Sequence, residues 1–278
     1  MFKKFITVAS SLALSAMCLT GCNQTTTDKE AKKTLDKVTI AEVTHSVFYA
    51  PQYAAVTKGF FEEEGIEVDI INTSGADKTM AALISGEAQV GLMGPEASIY
   101  VYNQGNENYA VNFAQLTKTD GSFIVAREEM PNFTLEDLKG KDILGGRKGG
   151  VPLMTLEYVL KKNGLTIGTN KEAGEVNVRT DVQFAAMAGA FAAGEAVFEP
   201  TGTQMEEEGT GYIVASVGEL SREVAGDVPY TAYSTTKEFM ADNEDLIQRF
   251  TNALYKGQQW CKTASSEEIA QAMQPFFN

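Results

Sequence analysis

The sequence is short of the side chains that most metal, redox and nucleophilic chemistry needs. It holds three cysteines and a single histidine, His45, in 278 residues. Cys18 and Cys22 sit near the start, so Cys261 alone serves the body of the chain. No disulfide framework, Cys-x-x-Cys pair or cysteine–histidine metal cluster can be built from that set. A Ser-His-Asp triad would have to use His45 with no Gly-x-Ser-x-Gly elbow to support it. Basic residues are also scarce, with 23 Lys and Arg against 37 Asp and Glu and a net charge of −14. A surface this acidic disfavours nucleic acid and offers no basic patch to anionic lipid. Past the first residues there is no apolar run of about twenty, so no spanning helix is expected.

The start of the chain has a different character. Lys3 and Lys4 precede an apolar, small-residue run from Phe5 to Leu19, which ends in Leu19-Thr20-Gly21-Cys22. A basic flank, a short apolar run and small residues before a cut describe a secretory signal peptide, here 1–21. A cysteine directly after Leu-Thr-Gly is the bacterial lipoprotein pattern. Cys22 is therefore the expected lipidated residue, and the polar stretch 22–36 a flexible tether. Removing Lys3 and Lys4 leaves 21 basic against 37 acidic groups, a balance of −16. The expected location is extracytoplasmic, held to the bacterial cell membrane through lipid alone.

From Val38 onward short apolar runs alternate with helical patterns. Val38 to Val43 reads as a strand, and a loop with His45 leads into a helix near Pro51 to Lys58, stopped by Gly59. Val68 to Ile71, the helix Ala76 to Ser85, Val90 to Met93 and the helix Glu96 to Asn103 continue the alternation. Strand and helix in turn with short connections predict a parallel sheet covered on both faces. Val111 to Leu116 and Phe123 to Ala126 are further strands, separated by the turn Thr117 to Gly121. A second α/β series follows: a short helix Phe133 to Gly140, strand Ile143-Leu144, a helix Pro152 to Asn163, Val176 to Val178, a helix Val182 to Ala193, Ala196 to Phe198 and Tyr212 to Val217. Lys237 to Phe276 reads as helical. Two α/β units with two crossings, near Asp120–Ala126 and Tyr230–Ser234, predict two lobes: 37–124 plus 232–278, and 125–231. In such sheets a ligand sits at the strand carboxyl ends, beside helix starts.

The stretch Gly145 to Gly150 (GGRKGG) spaces two glycines as a nucleotide-binding loop does. Val151 and Pro152, however, occupy the positions of the required Lys and Ser/Thr, and no Gly-x-Gly-x-x-Gly exists. Nucleotide hydrolysis is not expected on that ground. What remains is a helix start at Pro152 whose glycines let backbone N–H groups approach a solute, or a plain glycine-rich turn. Glu96 and Glu199 each stand beside a proline at a strand end, where a glutamate serves a ligand, a glycosidase pair or simply the helix dipole. His45 is either a donor to a ligand or an exposed loop histidine. The run Glu62-Glu63-Glu64 reads as a solvated face.

Three ordered segments carry a family resemblance. They are Val38 to Ala41 with Tyr53 to Val68, Gly75 to Gly91 (GADKTMAALISGEAQVG), and Leu135 to Lys141 (LEDLKGK). With the lipoprotein start, this ordered set resembles the solute-binding lipoproteins of ABC importers, in the group handling nitrate, sulfonates, taurine and thiamine pyrimidine precursors. The likeness runs from about Lys37 to Gln274, nearly all of the mature chain. It implies an α/β, two-lobed periplasmic-binding fold of type II, with a sheet in each lobe, flanking helices and a cleft closed by hinge bending. It also implies ligand contacts from the loop His45 to Tyr49, from Gly94 to Glu96, from Gly149 and Gly150, and from Glu199-Pro200, with Tyr230 as a further contact. Expected partners are a small solute, a permease and its ATPase, for a monomer with no nucleic acid, no resident metal, no cofactor and no catalytic residue. The family carries a longer apolar strand before its Glu-Pro than Glu195 to Phe198 provides here.

Charge narrows the solute. Sulfonate, taurine and nitrate need donors such as Arg147 or Lys148, whereas Glu96 and Glu199 repel an anion. Carboxylates beside Tyr49 and Tyr230 suit a thiamine-precursor pyrimidine or a similar donor-rich heterocycle. An enzyme alternative comes from fungal relatives, which make that pyrimidine from pyridoxal phosphate and an active-site histidine and carry a cysteine-rich motif. This chain has no such motif.

Overall fold

A computed structural model of the protein describes residues 34–182, 195–198 and 201–277, with the backbone alone for 195–198. The signal segment, Cys22, most of the tether, Glu199 and nearly all of the expected helix 182–193 lie outside the described residues.

The first half follows the apolar pattern closely. Strand β1 (Asp36–Glu42) turns at Ser46, whose side chain accepts from the Phe48 N–H, into a 3₁₀ turn and α1 (Ala50–Thr57) with Pro51 in its first turn. Gly59 takes a left-handed conformation (φ 76°) and starts the short α2 (Phe60–Glu63). Then come β2 (Ile66–Asn72), α3 (Ala76–Ser85), β3 (Val90–Met93), α4 (Glu96–Asn103) and β4 (Ala110–Thr117). The chain crosses to β5 (Ser122–Ala126), β6 (Asp142–Leu144), α5 (Val151–Lys162) and β7 (Asn177–Arg179). After β8 (Glu195–Phe198), α6 (Thr201–Glu207), β9 (Tyr212–Ser216) and α7 (Val217–Ala225), it returns through β10 (Thr231–Thr236). It finishes in α8 (Lys237–Asp242), α9 (Glu244–Cys261) and α10 (Ser266–Met273).

Among the described residues two five-stranded sheets result, ordered β2-β1-β3-β10-β4 and β7-β6-β8-β5-β9. Neither is wholly parallel as the alternation predicts. β10 runs antiparallel to β3 and β4, and β5 antiparallel to β8 and β9. The reason is topological: β10 enters the first sheet from the other lobe, so no crossover helix sets its direction. The segment expected as a helix at 133–140 is a single 3₁₀ turn, Leu135–Leu138, closed by a capping box between Thr134 and Asp137.

The crossings also sit earlier than expected, because Ser122–Ala126 and Thr231–Thr236 are strands within the sheets. The connecting chain is 118–121 and 226–230. These two segments bond to one another: Val228 N–H donates to the Lys118 carbonyl and Tyr230 N–H to the Thr117 carbonyl, both at 3.0 Å. Gly218, at the start of α7, packs on this joint so tightly that an added Cβ would lie 2.2 Å from the Asp120 carbonyl oxygen.

Each lobe has its own core. Ile40, Tyr53, Phe61, Leu92, Tyr233 and Phe250 fill the first, and Ile143, Leu156, Leu160, Val176 and Val217 the second. Glu62 and Glu63 are exposed, as a solvated face requires, while Glu64 is half-buried, and Glu63 and Glu64 both pair with Lys256 of α9, at 2.9 and 2.8 Å. No helix among the described residues is long and apolar enough to cross a membrane.

Candidate ligand site between the lobes

Two buried polar clusters lie along the carboxyl end of the first sheet, and they differ in how fully they are satisfied. The first centres on Glu42, the last residue of β1, whose side chain is wholly buried. Its Oε1 meets His45 Nδ1 at 2.5 Å and accepts from Tyr53 Oη at 2.9 Å, while Oε2 accepts from Gln52 Nε2 at 2.6 Å. Tyr233 Oη completes the set by donating to Gln52 Oε1 at 3.0 Å. Burial pushes the Glu42 carboxyl above the usual range, and Tyr53, His45 and Gln52 oppose that push. With every acceptor used, the cluster braces the loop that carries His45. The imidazole is fixed through one nitrogen, edge-on to Tyr53 and tilted against Phe277.

The second cluster is incompletely satisfied. Glu96, the first residue of α4, is buried and reaches the other lobe. Its Oε1 accepts the Val151 N–H at 3.3 Å and lies 3.6 Å from Arg147 Nη2. Its carboxyl folds back over Gly94, where an added Cβ would stand 2.0 Å from Glu96 Oε2 and 2.8 Å from Val151 Cγ2. Gly94 is therefore required for room. Burial raises the Glu96 pKa, against the pull of nearby backbone N–H groups and Arg147.

Asp120 and Tyr230, one on each crossing, complete the cluster. Asp120 Oδ1 accepts from the Ser122 N–H at 2.7 Å and from Ser122 Oγ at 2.6 Å. Burial pushes its pKa up to about 6, with Ser122 and then Tyr230 opposing. The Tyr230 phenol approaches Asp120 closely enough for a weak hydrogen bond that shifts both groups, but the contact is poorly formed, and neither Asp120 Oδ2 nor Tyr230 Oη has a well-formed partner. Tyr230 is also held well above the ordinary phenol range, by burial first and then by Asp120, Tyr49 and Glu96. Those four side chains therefore form one electrostatic neighbourhood. Among the described residues, the buried side-chain atoms without a hydrogen bond are Glu96 Oε2, Asp120 Oδ2 and Tyr230 Oη.

The glycine loop before α5 meets the opposite lobe. Gly149 takes a left-handed conformation (φ 77°), and its carbonyl accepts from Tyr100 Oη at 2.9 Å. Gly150, in extended backbone, caps α5, and the Val151 N–H beyond it goes to Glu96. Arg147 stands 3.7 Å from Asp77 of α3 as well as beside Glu96. The helix start expected to face a solute is thus occupied by the protein's own carboxylate.

Gly94, Glu96 and Tyr230 lie at one edge of the first sheet, with Gly149 and Gly150 beside Tyr100 and Glu96, whereas Tyr49 is buried in the core of the first lobe. His45 belongs to the Glu42 cluster, and Glu199 lies outside the described residues. Sequence reasoning misses Glu42 and Asp120. The signal for Glu42 is a lone charge closing an apolar strand; Asp120 is hidden in Asp-Gly-Ser, which reads as an ordinary turn.

Comparison with known proteins supports the architecture. Residues 47–267 match the family described as NMT1/THI5 like. A protein of Bacillus subtilis named putative binding protein YtlA is 46% identical over 251 residues, covering 89% of this chain and 72% of that one. The alkanesulfonate-binding protein SsuA of Xanthomonas axonopodis, solved with MOPS bound, superposes with a TM-score of 0.66 at 14% identity, over 86% of this chain and 78% of that one. The periplasmic nitrate-binding protein NrtA of Synechocystis gives 0.67 at 18% identity, over 86% and 66%. The fold is therefore that of the two-lobed periplasmic binding proteins.

Proposed function

The chain belongs to the NMT1/THI5-like family, and from that premise we propose that it is the extracytoplasmic solute-binding subunit of an ABC importer. It captures a small donor-rich heterocycle, of the thiamine-precursor pyrimidine kind, by closing its two lobes. The observation that carries this reading is Glu96, a buried carboxylate of one lobe placed at the edge of the other with Oε2 unpartnered. A solute that donates to that oxygen offsets the desolvation of the charge, whereas a sulfonate or nitrate adds a second negative group. In this reading a planar ring stacks on Tyr49 and Tyr230.

In this reading the lobes are 37–124 with 232–278, and 125–231. Cys22 carries the lipid that holds the protein at the membrane, and a permease with its ATPase receives the solute. Lobe movement is taken up at the bonded crossings 118–121 and 226–230. No reaction is assigned to the protein. The names of the relatives, a putative binding protein and binders of alkanesulfonate and nitrate, support solute binding in general.

The test is calorimetric. We expect 4-amino-5-hydroxymethyl-2-methylpyrimidine to bind at neutral pH and an alkanesulfonate to give no heat. Binding of the sulfonate alone would overturn the choice of solute class.

A further inference from the structure

Asp120 carries a buried charge that its local structure does not need. Its Oδ1 accepts both the backbone N–H and the hydroxyl of Ser122, which closes the Asp-Gly-Ser turn. An asparagine makes the same turn with the same oxygen and no charge to bury. The second oxygen, Oδ2, has only a poorly formed contact with Tyr230 Oη, although Asp120 is 5% exposed and Tyr230 8%. Glu42 shows how this fold treats a carboxylate kept for bracing, with donors on both oxygens. Asp120 is treated differently.

Its surroundings define what could satisfy it. Ala232 stands opposite Met93 in the pairing of β10 with β3, and Thr231 opposite Thr117 in its pairing with β4, so Tyr230, Glu96 and Asp120 all leave neighbouring strands at the same edge of the first sheet. Lys118 is engaged by Asp227 at 2.8 Å, and Arg147 by Asp77 and Glu96. Among the described residues no cation pairs with Asp120. The complement to an unpaired carboxylate oxygen and a phenol oxygen that both donates and accepts is a ligand group carrying N–H donors, such as an exocyclic amine or a protonated ring nitrogen.

We propose that Asp120 and Tyr230 form a second recognition point at the hinge, binding a donor group on the opposite edge of the solute from the one read by Glu96. The proposal rests on the solute-binding reading above and sharpens it. The solute must present donors on two edges, and a molecule with only one engages Glu96 and leaves the hinge acid unpaired. Because Asp120 and Tyr230 lie on the two crossings, the bound donor ties those crossings together and links occupancy to hinge geometry.

The experiment titrates 4-amino-5-hydroxymethyl-2-methylpyrimidine into the wild-type chain and into Asp120→Asn and Tyr230→Phe, with thermal melting of each unliganded protein at neutral pH. Asp120→Asn is expected to weaken binding about 30-fold or more, by loss of a charge-assisted bond, while melting at or above the wild-type temperature. Tyr230→Phe is expected to weaken binding about tenfold and controls for misfolding at Asp120. If the wild type binds and both variants bind equally well, the hinge proposal is wrong and the wider reading stands. If the wild type takes an alkanesulfonate and not the pyrimidine, and Asp120→Asn tightens it, both fail.

Discussion

Glu96 and Val151 belong to different lobes, and the carboxylate of the first accepts the backbone N–H of the second at 3.3 Å. A carboxylate at a helix start is favourable by itself, since the free N–H groups and the dipole both attract negative charge. Here the carboxylate comes from the other lobe, so it joins the lobes and leaves its second oxygen without a hydrogen bond. Gly94 makes this possible by having no side chain. Gly94→Ala is expected to displace Glu96, weaken solute binding about tenfold or more and leave folding within about 1 kcal/mol of wild type. Small-angle scattering checks the structural half: at one limiting pyrimidine concentration the variant is expected to compact less than the wild type.

Glu42→Ala should unfold the protein more readily than any change at Glu96. It strands two buried donors, Gln52 Nε2 and Tyr53 Oη, and releases the partly exposed His45 Nδ1. The expected loss is about 3 kcal/mol or more, read as a melting temperature lower by roughly 6–12 °C. Denaturant titration showing a loss below about 1 kcal/mol would contradict the bracing role.

Stability should respond to pH through Asp120. Its pKa rises from 3.8 in the unfolded chain to about 6 in the fold, so the native state holds the proton more tightly. A raised acid favours the fold below the unfolded value and loses that contribution as pH rises through the folded value. Between about pH 4 and pH 6 this group should therefore remove about 3 kcal/mol of stability. Asp120→Asn should be the more stable protein at neutral pH, with the advantage vanishing in acid. Equal slopes for the two proteins across that window would refute the assignment.

Gly257→Ala tests how the last long helix seats. A Cβ at that point would lie 2.2 Å from the Pro51 carbonyl oxygen and 3.1 Å from Ala55 Cβ, so α9 must move off α1. The expected loss is about 1–3 kcal/mol, measurable by urea denaturation. An unchanged midpoint would show that the two helices have slack between them.

Most of the fold is legible in the sequence because it follows from patterns a few residues long. Val38 to Val43, Ala76 to Ser85 with Gly86, and the Gly150-Val151-Pro152 helix start all announce themselves by apolar spacing, a stop or a cap. The direction of β10 is not legible, since it depends on where a distant segment rejoins the sheet. The site divides in the same way. Glu96 stands out through Gly-Pro-Glu at a strand end, and Tyr230 through its place near a crossing. Asp120 reads as turn chemistry, because only the folded chain reveals that one of its oxygens is buried without a partner. The glycine loop is recognisable as a helix start, but Glu96, which accepts from Val151 at that start, lies 55 residues away and no local pattern connects them.

Native mass spectrometry of the freshly purified protein tests the central claim most directly, because it lets the protein choose its solute. The account predicts a co-purified nitrogen heterocycle bearing N–H donors, present on the wild type and lost from Glu96→Gln. A bound sulfonate, nitrate or other anion, retained or strengthened in Glu96→Gln, would contradict it.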